Sequence, residues 1–513
     1  ASRIKVIKHH MGGGFGSKLG LNDYTVAAAK LAKEAGKPVK IVLSRKENSI
    51  CVGNRPASLQ TIKAGVKKDG TLTAFSYKNY ACGGVGAGDS CAEPLVDVYK
   101  CPNVKVEEYT VFANTVASRP TRAPGHTQGT FALEGFMEEL ANELGMDPLE
   151  LRKKNYSLKS RGDTDIPYSS KGLDQCYQIG AEKIGWERRN KKPGEGKGKL
   201  RRGLGMASQI WWGIGRMGTQ ADVRLHPDGS VEAICGTQDL GTGTRTYIAE
   251  VAAETLGLEL KDIMVKIGNT EYPWSGSSGG STTTPSVAPA VRDAALKAAD
   301  YLKNLAAKKF GVTTDQVDIE SKKLFNRNNT AQSIDFQALI REHRRELVFH
   351  GECGGRPADY AYNTFGAHFA EVEVDVETGK IKVVKYVAVH ESGRIMNKLT
   401  AESQVIGGIT QGISTGLFEE RVMDSSTGKV VNPNLRDYKI ATSVDIPEIV
   451  PVFVDMVDPA INILGTKGLG EPPRIPASAA VANAVYNAIG IHIREIPMTP
   501  DKVLQALKQK EVA

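Results

Sequence analysis

Three pairs of short segments alternate apolar and polar side chains on either side of a glycine-containing turn. They lie over 61–65 and 71–77 around Lys-Lys-Asp-Gly, over 221–225 and 230–235 around His-Pro-Asp-Gly, and over 371–376 and 380–389 around Glu-Thr-Gly-Lys. A period of two sends successive side chains to opposite faces, and glycine at the left-handed turn position closes each pair as a β-hairpin. Between the pairs the apolar spacing lengthens to that of a helix. Over 130–144, Leu133, Phe136/Met137, Leu140 and Leu144 fall on one face. A helix over 24–35 is capped at Asn22 or Asp23 and stopped by Gly36 and Pro38. Further helices are predicted over 244–256, 287–308 and 477–489, and a last one starts at Thr499-Pro500 with proline in its first turn. Locally paired strands interspersed with helices predict an α+β fold rather than a doubly wound sheet. A domain boundary is expected in the Lys/Gly-rich stretch from about 190 to 203.

The 513 residues are 41% hydrophobic and 24% charged, an ordinary globular composition long enough for two or more large cores. No apolar run approaches the roughly 18 residues of a membrane span. The net charge of +8 is small for this length, and much of it sits over 188–202. No aromatics interleave that segment, so it reads as a solvated linker and no nucleic-acid partner is expected. The seven cysteines are scattered and never form a C-x-x-C pair. That argues against a disulfide framework, a zinc site or an iron–sulfur cluster, and fits a reducing, cytoplasmic location. Opening on Ala1 without a Met, in a strand-like run over 3–8, is read as the sign of a cleaved product or of one half of a split subunit.

Three glycine-rich loops change this picture. The first, Met11-Gly-Gly-Gly-Phe-Gly-Ser-Lys18, is not a P-loop, because Lys18 follows Ser17 instead of glycine and no Ser or Thr comes after it. Its glycines let backbone lie against a flat or anionic ligand, or make a tight turn. The second, residues 236–246, opens a helix, where amides and hydroxyls make an anion site. The third, residues 275–284, carries seven hydroxyls before a long helix and reads as a phosphate cradle or a flexible linker. Near the C-terminus, Leu-Gly-Thr-Lys-Gly-Leu-Gly-Glu-Pro-Pro ends at Pro473. Two prolines after one glutamate fix the backbone around Glu471. Together these features suggest a large nucleotide-like cofactor beside a general base.

In order along the chain stand Gly12-Gly-Gly-Phe-Gly16, Arg122-Ala-Pro-Gly125 with Gln128 and Glu134, Gln238-Asp-Leu-Gly-Thr-Gly243, Gly280-Ser-Thr-Thr-Thr284, Gln404, Gly468-Leu-Gly-Glu-Pro-Pro473 and Ile496-Pro-Met-Thr-Pro500. In this order and spacing the chain resembles the molybdenum-binding subunit of the xanthine oxidase/aldehyde oxidoreductase family of molybdenum hydroxylases. The resemblance implies two molybdopterin-binding domains: the C-terminal part of the first over 1–190 and the second over 191–513. It implies molybdopterin cytosine dinucleotide with molybdenum, and a split arrangement similar to nicotinate dehydrogenases. By motif, Gly14, Phe15 and Gly16 approach the metal's ligands, Arg122 lines the substrate and metal pocket, and Leu240, Gly241 and Thr242 contact the pterin. Gly280, Ser281, Thr282, Thr283 and Thr284 hold the phosphates, Gln404 bonds the pterin side, and Gly470 belongs to the cofactor set. Phe15 and Glu471 are the residues expected at the metal. Glu471 is the expected base, taking the proton from the water-derived nucleophile that attacks an electron-poor carbon.

Three departures point away from purine oxidation. Leu19 stands where purine-oxidising members carry Glu, Pro124 stands in place of an aromatic, and 86–98 contains no Arg or Lys. An aldehyde or N-heterocycle is the expected substrate. The implied partners are a [2Fe–2S] subunit, an FAD subunit and a polypeptide supplying the rest of the first domain. A purine dehydrogenase subunit, a non-catalytic cofactor-binding relative and a nucleotide-dependent P-loop protein remain as alternatives at this point.

Overall fold

The computed structural model describes residues 4–161 and 165–512. The first predicted hairpin forms as β1 (Ser58–Val66) antiparallel to β2 (Leu72–Gly84), whose other edge carries β3 (Val104–Phe112) in parallel. The later strands are β4 (Leu200–Trp212), β5 (Gln220–Leu225), β6 (Val231–Cys235), β7 (Ile263–Ile267), β8 (Val317–Glu320), β9 (Lys323–Asn326), β10 (Asn329–Asp335), β11 (Leu347–Glu352), β12 (Asn363–Asp375), β13 (Ile381–Glu391) and β14 (Glu448–Phe453). They build sheets ordered β11-β5-β6-β7, β14-β13-β12-β4 and β10-β9-β8, with the other two predicted hairpins at β5/β6 and β12/β13.

β4 explains how the layers stack. Leu204, Met206 and Ile210 alternate onto the face that packs with Phe365, Phe369, Leu133, Met137 and Tyr177 in one buried cluster. That cluster also holds Leu72, Phe75 and Tyr77, so the two halves of the chain share a core. Each fully buried side chain of this size contributes about 1.5–3 kcal/mol. The opposite face of β4 carries Gly203 and Gly205 against the helix Ala477–Ile489, every residue of which is buried. A Cβ on Gly205 would sit 2.0 Å from the Ala484 amide nitrogen, so glycine sets how closely that helix approaches.

Four expectations shift. The helix expected over 130–144 runs His126–Glu143, because Gly125 at φ 70 turns the chain where a Cβ would meet the Ser90 carbonyl at 1.7 Å. The helix expected from 287 starts at Thr283 and takes Pro285 into its first turn, where the missing N–H costs nothing. Of the strand expected over 3–8, Arg3 lies outside the described residues, and the remainder makes a single bridge between Ile7 and Asn269. It runs beside a loop, which extends no ladder. The basic stretch over 188–202 is not a free linker. Arg188 pairs with Glu371, Arg189 pairs with the buried Glu138, Asn190 exchanges bonds with Arg202 and Asn487, and Leu200 begins β4. Buried carboxylates need these cations, which pull the segment onto the core.

Candidate active site

The three glycine-rich loops converge although they lie far apart in sequence. The Gly14 backbone approaches Leu240, and Gly279 approaches Leu19. The Ser278 amide and hydroxyl donate to the side-chain and backbone oxygens of Gln238 at 3.1 and 2.8 Å. The Arg122 amide donates to the Phe15 carbonyl at 2.8 Å, and Gly16 at φ 108 presses on the Pro120 carbonyl. Between them lies a cleft of about 270 Å³ that also reaches Gln404 and Glu471. Its lining includes Gly14, Phe15, Gly16, Leu240, Gly241, Thr242, Gly280, Ser281, Thr283, Thr284 and Gly470, together with Arg122. Thr282 turns away from the cleft and donates its hydroxyl to the Gly279 carbonyl at 2.9 Å.

The walls fit a long ligand with an anionic end. The helix Thr283–Phe310 starts at the cleft without a side-chain cap, leaving its first amides for an acceptor. The Tyr247 hydroxyl is buried at the cleft beside the Thr244 and Thr284 hydroxyls. A Cβ on Gly241 would meet nothing within 4 Å. The second loop works differently from its sequence reading. There the Asp239 carboxylate accepts from the amides of Gly241, Thr242 and Arg245, so an internal anion already caps the helix Thr244–Leu256. That loop offers the ligand shape and a backbone surface, not a free anion site.

Glu471 forms the far wall. The Ala123 amide donates to its Oε1 at 3.2 Å and the Ser281 hydroxyl to its Oε2 at 3.1 Å, while the Glu471 amide donates to Ser281 Oγ at 2.8 Å. Protein encloses the carboxyl on every side but the cleft. Desolvation pushes its pKa above the ordinary glutamate value, opposed by the hydrogen bonds from Ala123 and Ser281 and by the charges of Arg122 and His126. A carboxyl tuned upward in a cleft is a stronger proton acceptor than an ordinary glutamate. Pro472 and Pro473 then start a single 3₁₀ turn that leads into the helix Ala477–Ile489.

Arg122 is buried, and its fork is spent on protein acceptors. Its Nε donates to the Gly470 carbonyl at 2.6 Å, Nη2 to the Gln404 carbonyl at 2.9 Å and Nη1 to Gln411 Oε1 at 3.4 Å. Burial brings its pKa down to about 10. It therefore clamps the glutamate loop to the helix Lys398–Leu417 as much as it lends charge to the cleft. Arg55 escaped the sequence reading: from below it donates to the carbonyls of Thr121, Arg122 and Ala123 and to Gln128. No local motif marks Arg55, since every partner lies more than 60 residues away. The bond between Ser281 and Glu471 was equally hidden, because Ser281 reads as one hydroxyl among seven. Glu134 lies away from the cleft, in a buried cluster with Arg152, Tyr99 and the Ser208 amide.

Comparison with known proteins gives this cleft its place. Two molybdopterin cofactor-binding domain families match, one over residues 1–156 and the other over 179–447. The chain belongs to the xanthine oxidase family of molybdenum hydroxylases. It is 33% identical over 507 residues to the molybdenum-binding subunit of an aldehyde oxidoreductase from Escherichia coli, covering 98% of this chain and 68% of that relative. It is 30% identical over 525 residues to a putative xanthine dehydrogenase molybdenum-binding subunit of the same organism, covering 98% and 69%. The fold matches that of quinoline 2-oxidoreductase from Pseudomonas putida with a TM-score of 0.88 at 24% identity, covering 99% of this chain and 69% of that one. Molybdopterin binding thus stands on the family. Among the described residues no helix is long and apolar enough to cross a membrane.

Proposed function

We propose that this chain is the catalytic molybdenum-binding subunit of a multi-subunit hydroxylase that oxidises an aldehyde or an N-heterocycle, with Glu471 as the base. The observation that carries the proposal is the Glu471 carboxyl, held by Ala123 and Ser281 at the wall of the cleft that the three glycine-rich loops enclose. When bound, the molybdenum cofactor supplies a two-electron acceptor and a Lewis acid that acidifies a water-derived nucleophile. The chain does the rest. Gly14, Phe15 and Gly16 present backbone to one end of the cofactor. Leu240, Gly241 and Thr242 give a surface for its ring system, and Gln404 bounds its edge. The uncapped start of the helix Thr283–Phe310, with Ser281, Thr283 and Thr284, holds the phosphates of the cofactor, which we take to be the cytosine dinucleotide form. Glu471 accepts the nucleophile's proton at its cleft-facing carboxyl, while Arg122 fixes the loop that carries it.

The substrate reading rests on Leu19 and Pro124, both in the cleft lining. An apolar side chain and a ring without hydrogen-bond donors leave a purine's polar edge unpaired, which weakens its binding relative to a less polar substrate. An aldehyde or an N-heterocycle asks for fewer partners, and the relative at 33% identity is named for an aldehyde.

The partners we propose are a [2Fe–2S] subunit and an FAD subunit. In this reading residues 1–190 are the C-terminal part of the first molybdopterin-binding domain and 191–513 the second. Exposed apolar side chains near the first loop, among them Leu21, Leu31 and Val42, are the surface on which a partner subunit packs. The test is metal and nucleotide analysis of the purified complex, followed by turnover of aldehydes, pyridine carboxylates and xanthine. Stoichiometric molybdenum with a cytosine nucleotide, and aldehyde or pyridine turnover well above that of xanthine, are expected. Magnesium-dependent ATP binding without molybdenum would overturn the reading.

A further inference from the structure

Behind the cleft, four residues before Glu471, the Lys467 ammonium is buried with two buried carboxylates. Its Nζ lies 3.2 Å from Glu391 Oε1 and 3.5 Å from Asp458 Oδ2, and donates to Ser170 Oγ at 2.6 Å and to the Asn363 carbonyl at 2.8 Å. Ser169 donates to Asp458 at 2.5 Å. The ammonium therefore ties together residues 169–170 of the first half, the start of β12, the end of β13 and the loop before the glutamate. The backbone continues the stitching, with the Lys467 amide on the Ser392 carbonyl at 3.0 Å and the Gly468 amide on the Gly213 carbonyl at 3.2 Å.

This lock borders a stretch of chain with little stiffness of its own. Gly468 and Gly470 carry no side chain to pack, and Gly468 is obligatory: a Cβ there would lie 2.5 Å from the Ser281 carbonyl. Left to itself, such a glycine-rich stretch samples many conformations. Downstream, Pro472 and Pro473 are buried and stiff. The glutamate is thus suspended between a proline anchor on one side and a charge anchor on the other. Its carboxyl is aimed through backbone, since neither Lys467 nor its two carboxylates bond it directly.

We propose that Lys467, locked between Glu391 and Asp458, is the positioning residue that aims the Glu471 carboxylate at the cleft. The proposal rests on Glu471 being the base. Loosening the lock lets the glutamate drift from the Ala123 amide and the Ser281 hydroxyl. Those bonds favour the ionised carboxylate, so their loss moves the pKa further upward. Lys467 also borders the cleft, and its buried aliphatic stem packs on Gly213, so its contribution to the walls must be separated from its contribution to the base.

Two variants of the purified complex test the lock. Ser170→Ala removes the shortest bond to the ammonium. Lys467→Met combined with Asp458→Asn removes the ammonium and one of its two carboxylates, leaving Glu391 with the Gly393 amide and the Ser170 hydroxyl as its donors. Each is measured for molybdenum content, kcat and KM, the acid limb of the pH–rate profile, and the protonated-carboxyl infrared band identified by its loss in Glu471→Gln. Lock variants are expected to keep molybdenum and a KM within about twofold, while kcat falls about tenfold or more in the double variant. The infrared midpoint and the acid limb should move upward together, by about one pH unit. A lower melting temperature with an unmoved midpoint and unchanged kcat, in either folded variant, overturns the proposal. If Glu471→Gln itself turns over normally, the base assignment falls, while the infrared midpoint still reports whether the lock positions the carboxyl.

Discussion

The cleft has two unlike walls. On the glutamate side, Arg122 and Lys467 are each bonded to several segments, Ser281 is bonded twice to Glu471, and the helix behind them is buried along its whole length. On the glycine-loop side, Phe15 is 54% exposed and the helix Asp23–Ala35 buries none of its residues. That loop is held chiefly by the bond from Arg122 to Phe15 and by Gly16 against Pro120. The same ligand would touch both walls, yet one is fixed by the chain's own bonds and the other takes much of its order from what packs on it. The difference separates two kinds of damage: loss of chemistry with structure kept, and loss of ligand with chemistry untested.

The largest effect belongs to the fixed wall. Glu471→Gln keeps the volume and the proline constraint but removes the proton acceptor, so kcat should fall about 10²–10⁴-fold with molybdenum content unchanged. Stability should hold or rise. Because the folded pKa lies above the unfolded one, the ionised carboxylate costs stability, and that cost grows as pH rises through the raised value. A melting scan at neutral pH checks this, and a variant that melts well below the parent would mean the carboxylate is a structural group. In the parent, kcat/KM should fall on the acid side through a pKa above the ordinary glutamate value.

Gly16→Ala attacks the loosely held wall at its one tight contact. The φ of 108 disfavours any side chain, and the new Cβ would lie 2.1 Å from the Pro120 carbonyl. Strain of this kind costs about 1–3 kcal/mol, and the loop can escape it by lifting away. Cofactor content should therefore drop while the melting temperature of the core changes little. Full molybdenum with normal turnover would show that Phe15 and Gly16 do not meet the cofactor.

Ser281→Ala returns to the fixed wall with a smaller lesion. It removes the hydroxyl bond to Glu471 Oε2 and the acceptor for the Glu471 amide. Losing a hydrogen bond to a charged group costs about 1.5–3 kcal/mol, so kcat/KM should fall about 10–150-fold. The acid limb should move upward, because the bond had favoured the ionised form. A limb that moves downward would assign Ser281 to the phosphates alone.

The legibility of the chain divides along the same line. The helix Ala477–Ile489 and the three hairpins follow from local period and turn chemistry, and the glutamate loop declares itself through two prolines. Arg55, Ser281 and Lys467 do not, because their partners lie 60 to about 300 residues away and no local pattern encodes such contacts. Asp239 is the opposite case. The sequence at 236–246 reads as an anion site, and the chain fills that site with its own carboxylate. A stretch rich in Lys and Arg at 188–202 looked solvated because composition carries no information about the buried Glu138 that it meets.

The smallest expected effect tests the exposed wall directly. Leu21 is 76% and Leu31 52% exposed, on and beside the helix Asp23–Ala35. Changing both to serine in this chain removes almost no buried apolar area, so unfolding free energy should shift by no more than about 0.5 kcal/mol. If a partner subunit covers this face, the same pair should weaken its association measurably, since each apolar side chain carries about 1.5–3 kcal/mol when fully buried. Chemical denaturation of the chain and of the complex, compared side by side, separates the two. A loss of about 2 kcal/mol or more in the chain alone would mean that its own residues bury this face, and the contrast between the walls would narrow accordingly. No loss in either would place the partner elsewhere and leave the exposed helix without a role in assembly.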